Sequence, residues 1–487
     1  MSGSANTASS ASSVVPALLV LLLASGASAQ RPVASDIDVT ASLRARAEYW
    51  RWFEAPANDE YSYVGSTLRA GLMQSRSSFG WQLELAAPLL FGLPVGAVAP
   101  APQGQLGVGA SYAVANGGEE TASGLFLKQG FLRLGAAPGR RGHSLRGGRF
   151  EFVEGAETTP SHGDLAWVKR ERIAHRLLGT FAWSHVGRSL DGAHYGFAGG
   201  RTQLSAVLAR PTQGVFNTNG WPGLDMLVAY GALTVAGARA EGRLFGLHIV
   251  DDREDPVKTD NRPAAVRSAD RDRIAVTTLG AHYLRVLPGA GGDVDVLLWG
   301  VTQLGDWGEQ EHEAWAGALE LGFQPAGLRG LSPWIRAGYF ASSGDDDPAD
   351  DAHGTFFQGL PTPRIYARTP FYNLMNLRDA FVSVQLRPSS RFSLRAQAHA
   401  LQLSESRDLW YAGGGAFEPE TFGFAGRPSG GDRDLAMLYD IGVDVGLGGG
   451  LSASAYAGFV EGRDVIENIH PLDARARLVY LELSYRR

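Results

Sequence analysis

Cysteine is absent from the 487-residue chain. Disulfide scaffolds, thiolate metal sites and cysteine nucleophiles are therefore excluded, as is any lipid anchor that needs a cysteine. Lysine is nearly absent: Lys128, Lys169 and Lys258 are three of 44 cationic side chains, and the other 41 are arginines. Nor is there a basic excess. The 44 Lys+Arg face 50 Asp+Glu, a formal net charge of −6, whereas nucleic-acid binders carry a strong basic bias. Beyond the N-terminal segment no apolar run suits a spanning helix. Leu85–Pro102 comes nearest, but Pro88, Pro94, Pro100 and Pro102 each remove a backbone donor. Also missing are a G-x-S-x-G elbow, a Walker loop and an H-E-x-x-H pair, although Glu311-His312-Glu313 has a superficial likeness. The chain therefore reads as non-enzymatic and without a cofactor. A hydrolase built into the molecule would need Ser, His and an acid brought together in space, and is the remote alternative.

What is present begins with an uncharged N-terminus. Residues 1–29 contain the run Leu18-Leu19-Val20-Leu21-Leu22-Leu23 and then Ala27-Ser28-Ala29. This is the layout of a cleaved export signal, leaving residues 30–487 as the mature domain.

From Asp38 on, the dominant pattern has period two. Val39, Ala41, Leu43, Ala45, Ala47 and Tyr49 alternate with Thr40, Ser42, Arg44, Arg46 and Glu48. Leu68, Ala70 and Leu72 alternate with Thr67, Arg69 and Gly71, and Leu204, Ala206 and Leu208 with Arg201, Gln203 and Ser205. Ala380, Val382, Val384 and Leu386 alternate with Ser383, Gln385 and Arg387, and Leu394, Ala396 and Ala398 with Arg395, Gln397 and His399. Tyr439, Ile441, Val443 and Val445 alternate with Asp440 and Asp444. Period two is the strand signature, and the Gly-, Pro-, Asp- and Ser-rich spacers are turns.

An exported chain of many such segments, each about 9–11 residues long, fits a closed sheet in a bilayer. Its apolar face meets lipid, its polar face lines a lumen, and closure leaves no unpaired backbone group. The expectation is all-β: a single antiparallel transmembrane β-barrel of about 18 strands, 16 being possible, in the outer membrane of a Gram-negative bacterium. Tyr49, Trp50, Trp81, Trp334, Tyr339 and Tyr439 fall near segment ends, as aromatic girdles do. A barrel of this size is expected to leave a lumen rather than a packed core.

The arginine excess at lumen-facing positions points to an anionic substrate. A guanidinium is always charged and grips a carboxylate bidentately. The candidates are Arg44, Arg46, Arg69, Arg149, Arg201, Arg336, Arg387 and Arg395. Glu48, Glu151, Glu320, Asp440 and Asp444 are positioned to hold them and to moderate the positive field. A ladder of structural ion pairs is the competing reading. The acidic loop containing Asp345, Asp347, Asp350 and Asp351 is a weak Ca²⁺ candidate, since it offers oxygen ligands without the spacing of a defined motif.

Three stretches resemble the alginate export family of outer-membrane barrels. They are Leu145-Arg146-Gly147-Gly148-Arg149-Phe150-Glu151-Phe152; Arg176-Leu177-Leu178-Gly179-Thr180-Phe181-Ala182-Trp183 with Arg188-Ser189-Leu190-Asp191-Gly192; and Ser343-Gly344-Asp345 with Gly354-Thr355-Phe356 and Leu360-Pro361-Thr362. Ala182 stands where the family usually has an acidic residue, and Leu190 where it has Phe. The resemblance implies an 18-stranded barrel whose arginine-lined constriction passes an anionic uronate polymer without ATP. It singles out Arg149 with Glu151, and Arg188 with Asp191. The implied partners are an alginate-like polysaccharide, outer-membrane lipid and lipopolysaccharide, and periplasmic export proteins. A porin for small anions or oligosaccharides is the alternative.

Overall fold

The alternating segments become strands, and each strand finds its partner in the next. In the computed structural model, which describes residues 36–213, 215–253, 258–328, 330–360, 366–413 and 425–487, eighteen antiparallel strands form the wall. They are β1 (Asp38–Arg51), β2 (Glu60–Ser75), β3 (Phe79–Phe91), β4 (Phe126–Gly135), β5 (Gly142–Phe150), β6 (Leu190–Ala198), β7 (Thr202–Pro211), β8 (Met226–Ala236) and β9 (Ala240–Asp251). The circuit continues with β10 (Ile274–Leu287), β11 (Gly292–Trp307), β12 (Gln310–Pro325), β13 (Trp334–Ser342), β14 (Leu377–Ser389), β15 (Phe392–Leu403), β16 (Asp434–Gly448), β17 (Leu451–Gly462) and β18 (Arg475–Arg486). β18 pairs back onto β1, from Ser42 opposite Arg486 to Arg51 opposite Arg477. The sheet is thus a closed barrel without a free edge, the form that satisfies every strand amide in lipid. The segments read as the export signal (1–29) and as part of the family-like loop (Pro361-Thr362) lie outside the described residues, as do Glu254 and Asp255.

Strand length departs from the expected 9–11 residues. The strands run from 9 to 16 residues, so the longest, β2, β11 and β12, extend past what a bilayer requires. Among the described residues no helix is long and apolar enough to cross a membrane.

The outer face carries Leu68, Leu145, Leu208, Leu319, Val382 and Ile441, all exposed. Tyr339 and Tyr439 are also exposed on it, as a girdle requires. Trp50 and Trp334 are not girdle residues, being 1% and 2% exposed. Trp50 shares the inward parity of Arg46 and Glu48, and Trp334 turns in to donate its indole N–H to Asp295 Oδ2 at 2.7 Å.

One end of the barrel has eight connections of two to eight residues, and the other has nine, seven of them of 12 to 39 residues. In outer-membrane barrels the turns face the periplasm and the long loops the exterior. Two loops fold back into the barrel. Residues 151–189 and 343–376 meet inside it, where Gly179 N–H donates to Leu360 O at 2.7 Å and Leu360 N–H to Leu177 O at 2.8 Å. Phe53, Phe371, Trp410 and their neighbours add a buried apolar core. The expectation of an unfilled lumen is therefore corrected: loops occupy much of it, and a cavity remains open to one side.

Candidate functional site

The in-folded loop 151–189 explains where the open volume lies. At its midpoint a short helix, α1 (Gly163–Val168), runs on through the wider turn Lys169–Ile173. Arg172 and Arg176, at and just after that turn, reach Glu320 on β12 at 2.9 and 3.5 Å, and Arg336 on β13 reaches the same carboxylate at 3.3 Å. Arg336 also pairs with Asp295. All of these side chains are at most 3% exposed. Their guanidiniums lie over aromatic rings: Arg172 over Tyr366 at 4.5 Å and Arg176 over Trp299 at 4.7 Å. The predicted lumen residues Arg336 and Glu320 are consequently the dry tether of a loop, not an open lining.

The loop's far end rests on β1 and β2. Arg44 donates to the carbonyls of Ala182 and Ser184, and Arg46 to that of Trp183. Thr67 donates to the His185 carbonyl at 2.8 Å, and His185 N–H donates to Tyr112 Oη at 2.8 Å. Burial holds the His185 imidazole well below its usual pKa, so the ring stays neutral. Arg46 is spent further, with Glu48 at 3.1 Å and Trp183 beneath its guanidinium.

Between this loop and the wall is a cavity of about 490 Å³, bordered by β1–β4, β17 and β18. Arg44, Arg69, Lys128 and Arg486 line it, together with Glu151 and the hydroxyls of Ser42, Thr67, Ser184, Ser452 and Ser484. Arg69 meets Glu151 at 2.6 Å and bonds Glu84 through Nε at 2.8 Å. Lys128 lies 3.5 Å from Glu151 and donates to Val186 O at 3.0 Å. Arg44 and Arg69 keep about a quarter of their side-chain surface open, 23% and 25%. The lining therefore combines partly free guanidiniums with carboxylates that fix their positions. Such a surface can take up carboxylate or sulfate groups by exchange and release them again.

The structure brings Arg44, Arg69 and Glu151 to one cavity and places the other candidates elsewhere. Arg149 and Asp191 form a pair, Nη2 to Oδ2 2.6 Å, on the outside of the barrel. Arg149 shares the outward parity of exposed Leu145 and stands opposite Gly130 and Asp191 in register. Residues of the 212–225 loop cover it, with Trp221 O accepting from Arg149 Nη2 at 2.9 Å. Glu151 goes to Arg69 rather than to Arg149, and Arg188 bonds the carbonyls of Gly179 and Leu360 at 3.4 and 3.2 Å. With no carboxylate beside it, burial lowers the Arg188 pKa to about 10. Arg201 is exposed in the turn between β6 and β7. Arg387 stacks on Trp334 at 5.0 Å. Arg395 faces inward to Glu171 at 3.6 Å. Asp440 accepts from Gln397 and Tyr456, both at 3.1 Å, and Asp444 from Ser454 at 2.6 Å and from Arg368 of the second loop at 3.3 Å.

The Ca²⁺ candidate dissolves on inspection. Asp345, Asp347 and Asp350 each accept the backbone N–H two residues on, while Asp351 is exposed. Among the described residues no group of three or more His, Asp or Glu could hold a metal. Two buried His–carboxylate pairs, His399–Asp379 and His282–Glu241, both at 3.0 Å, have the spacing of part of a triad, but no hydroxyl bonds the other ring nitrogen of either histidine.

Two site features were missed. Lys128 counts only as one of three lysines: it shares the parity of exposed Leu132 and Leu134 and faces inward through a register shift against β3 at Glu84/Leu85, which the sequence pattern does not show. Of the 182–187 segment only Ala182 and Trp183 fall in a family-like string, and nothing in its composition places it inside the barrel. The 39 residues between β5 and β6 were the available signal, since a connection that long is unusual without a role.

A closed 18-stranded barrel with a polar, charge-lined interior is an outer-membrane channel of a Gram-negative bacterium. Its similarity to solved structures agrees. The outer-membrane protein OpdK of Pseudomonas aeruginosa superposes with a TM-score of 0.54 at 10% identity, covering 92% of this chain and 99% of that one. OccK9 (OpdG) of the same organism gives 0.54 at 13%, covering 92% and 98%, and OccK8 (OprE) gives 0.51 at 10%, covering 92% and 98%. At these identities the likeness is one of fold. The alginate export family model matches residues 125–458, and the chain belongs to that family. A search of curated proteins returned no match.

Proposed function

We propose that this channel passes an anionic polysaccharide of the alginate type, passively, along its basic cavity wall. The observation that carries the reading is the convergence of Arg44, Arg69 and Lys128 on one cavity of about 490 Å³, with their carboxylate partners Glu84 and Glu151 holding them apart. Several moderate sites in sequence, none of them tight, are what passage of a polyanion needs. Family membership supports a polysaccharide as the cargo. Lipopolysaccharide around the wall and a periplasmic export complex are the partners such a channel would meet, and residues 1–29 the signal that would bring it there.

A second reading has its own observation. The cavity has the volume of a small-molecule site, and one solved relative in fold, OpdK, was crystallised with vanillate, a small carboxylate. That favours uptake of small anions. Ion selectivity in a planar bilayer with polymannuronate as blocker separates the two. Anion preference with polymer block supports the polysaccharide channel. Anion preference with block only by monomeric carboxylates supports the small-anion porin.

A further inference from the structure

The two mouths of the barrel carry opposite charge. The eight turns (76–78, 136–141, 199–201, 237–239, 288–291, 326–333, 390–391 and 449–450) contain seven arginines and no Asp, Glu or Lys. Arg76, Arg140, Arg141, Arg201, Arg239 and Arg391 among them are exposed. At the other end, the seven connections that do not fold back into the barrel hold 20 Asp+Glu against 10 Lys+Arg. The open cavity belongs to the arginine end. Gly450, Ser452, Ser484 and Arg486, at that rim, line it on the way up to Arg44, Arg69 and Lys128.

We infer that the turn arginines form a capture collar for a polyanion arriving from the periplasm, and that the acidic loop mouth disfavours its entry from outside. The inference deepens the polysaccharide reading and rests on it for the cargo, but it adds a binding surface and a direction. The physics is long-range. Cationic groups around a mouth raise the local concentration of an anionic polymer and its capture rate by 10- to 1,000-fold at low salt, and the effect fades as the Debye length shrinks from about 10 Å at 0.1 M to about 3 Å at 1 M. Solvent-exposed arginines hold each carboxylate weakly, so a captured end can move on to the wall above. At the far mouth the carboxylate excess opposes recapture. The asymmetry needs no energy source to bias where encounters begin, while net flux still follows the concentration gradient.

The test uses the whole barrel inserted in one orientation in a planar bilayer. Polymannuronate is added to one side at a time, and dextran sulfate is run in parallel as a reference polyanion. The blocking on-rate from the turn side should exceed that from the loop side by about tenfold at 0.1 M salt, and the two should converge at 1 M. The variant R140Q/R141Q/R201Q/R239Q/R391Q should lower the turn-side rate to the loop-side value and leave open conductance unchanged. Equal rates from both sides, or an asymmetry that survives in the variant, overturns the collar. So does a variant whose only defect is poor membrane insertion, since its arginines would then serve lipid phosphates. Collar-dependent block by dextran sulfate without block by polymannuronate keeps the collar and removes the uronate reading. Symmetric block by polymannuronate does the reverse.

Discussion

Gly65 on β2 faces the imidazole of His185: a Cβ built on Gly65 would lie 2.3 Å from Nε2 and 2.4 Å from Cδ2. No methyl fits there. His185 is a point at which the in-folded loop seats on the wall, its backbone held by Thr67 and Tyr112 and its ring Nδ1 lying 3.2 Å from Thr67 Oγ1. Gly65→Ala must therefore displace the ring, and with it the segment from Ala182 to Gly187 that borders the cavity. Overpacking of this kind costs about 1–3 kcal/mol. The expected readout is a changed and noisier single-channel conductance. A variant with native conductance and native stability would show that the loop does not set the opening.

Among the arginines, the structure sorts open from dry. Arg69→Gln and Lys128→Gln change the charge of the cavity wall and should each lower anion selectivity, seen as a shift of the reversal potential under a salt gradient. Arg336→Gln removes an equal charge from a site with 2% side-chain exposure and should leave selectivity near that of the native channel while weakening the fold. Equal selectivity shifts for all three would mean that the lumen field is diffuse and the cavity wall has no special standing.

The sequence carried the barrel because its signal is repeated along the whole wall. Alternation in β1 assigned Arg44 and Arg46 to one face and Leu43 and Ala45 to the other, and closure in lipid followed from the unpaired edges alone. It carried less of the site, for two physical reasons. Parity tells inside from outside but not wet from dry: Arg69 and Arg336 both point inward, yet Arg336 is covered by a loop whose path depends on contacts far apart in the chain, such as Arg172 with Glu320. Arg149 shows the other failure. It was taken from a family-like string rather than from its own strand, where the parity of Leu145 and Gly147 assigns it to the outer wall.

The Glu320 cluster supplies a stability prediction. One carboxylate with 0% exposure faces Arg172, Arg176 and Arg336. Glu320→Ala removes the carboxylate that these buried guanidiniums share, and breaking a buried pair from one side costs about 3–5 kcal/mol. Arg210→Gln on the outer surface, where the pair with Asp225 at 3.3 Å is 64% and 60% exposed, should cost no more than about 1 kcal/mol. Urea midpoints of the folded barrel in detergent micelles check both. Similar midpoints for the two variants would mean that the loop tether contributes nothing to barrel stability.

A pH dependence is built into the loop mouth. Asp408 accepts from Asp345 N–H at 3.0 Å, Thr355 Oγ1 at 2.7 Å and Tyr411 Oη at 2.9 Å, joining loop 343–376 to loop 404–433. Burial nevertheless pushes its carboxyl up to about 7, and that of Asp345 up to about 6. In the unfolded chain an aspartate titrates near 3.9, so the folded loops hold these protons more tightly. Their contribution to loop packing is complete below about pH 4 and is lost as the pH rises through 6 to 7. Amide hydrogen exchange in residues 343–360 should accordingly be faster at pH 8 than at pH 5, after correction for the intrinsic base-catalysed rate. Asp408→Asn, which keeps an uncharged acceptor at that place, should slow exchange at pH 8 and flatten the profile. Protection that grows with pH in the native protein would reverse the sign of the argument and make Asp408 a carboxylate stabilised in its charged form by the three donors around it.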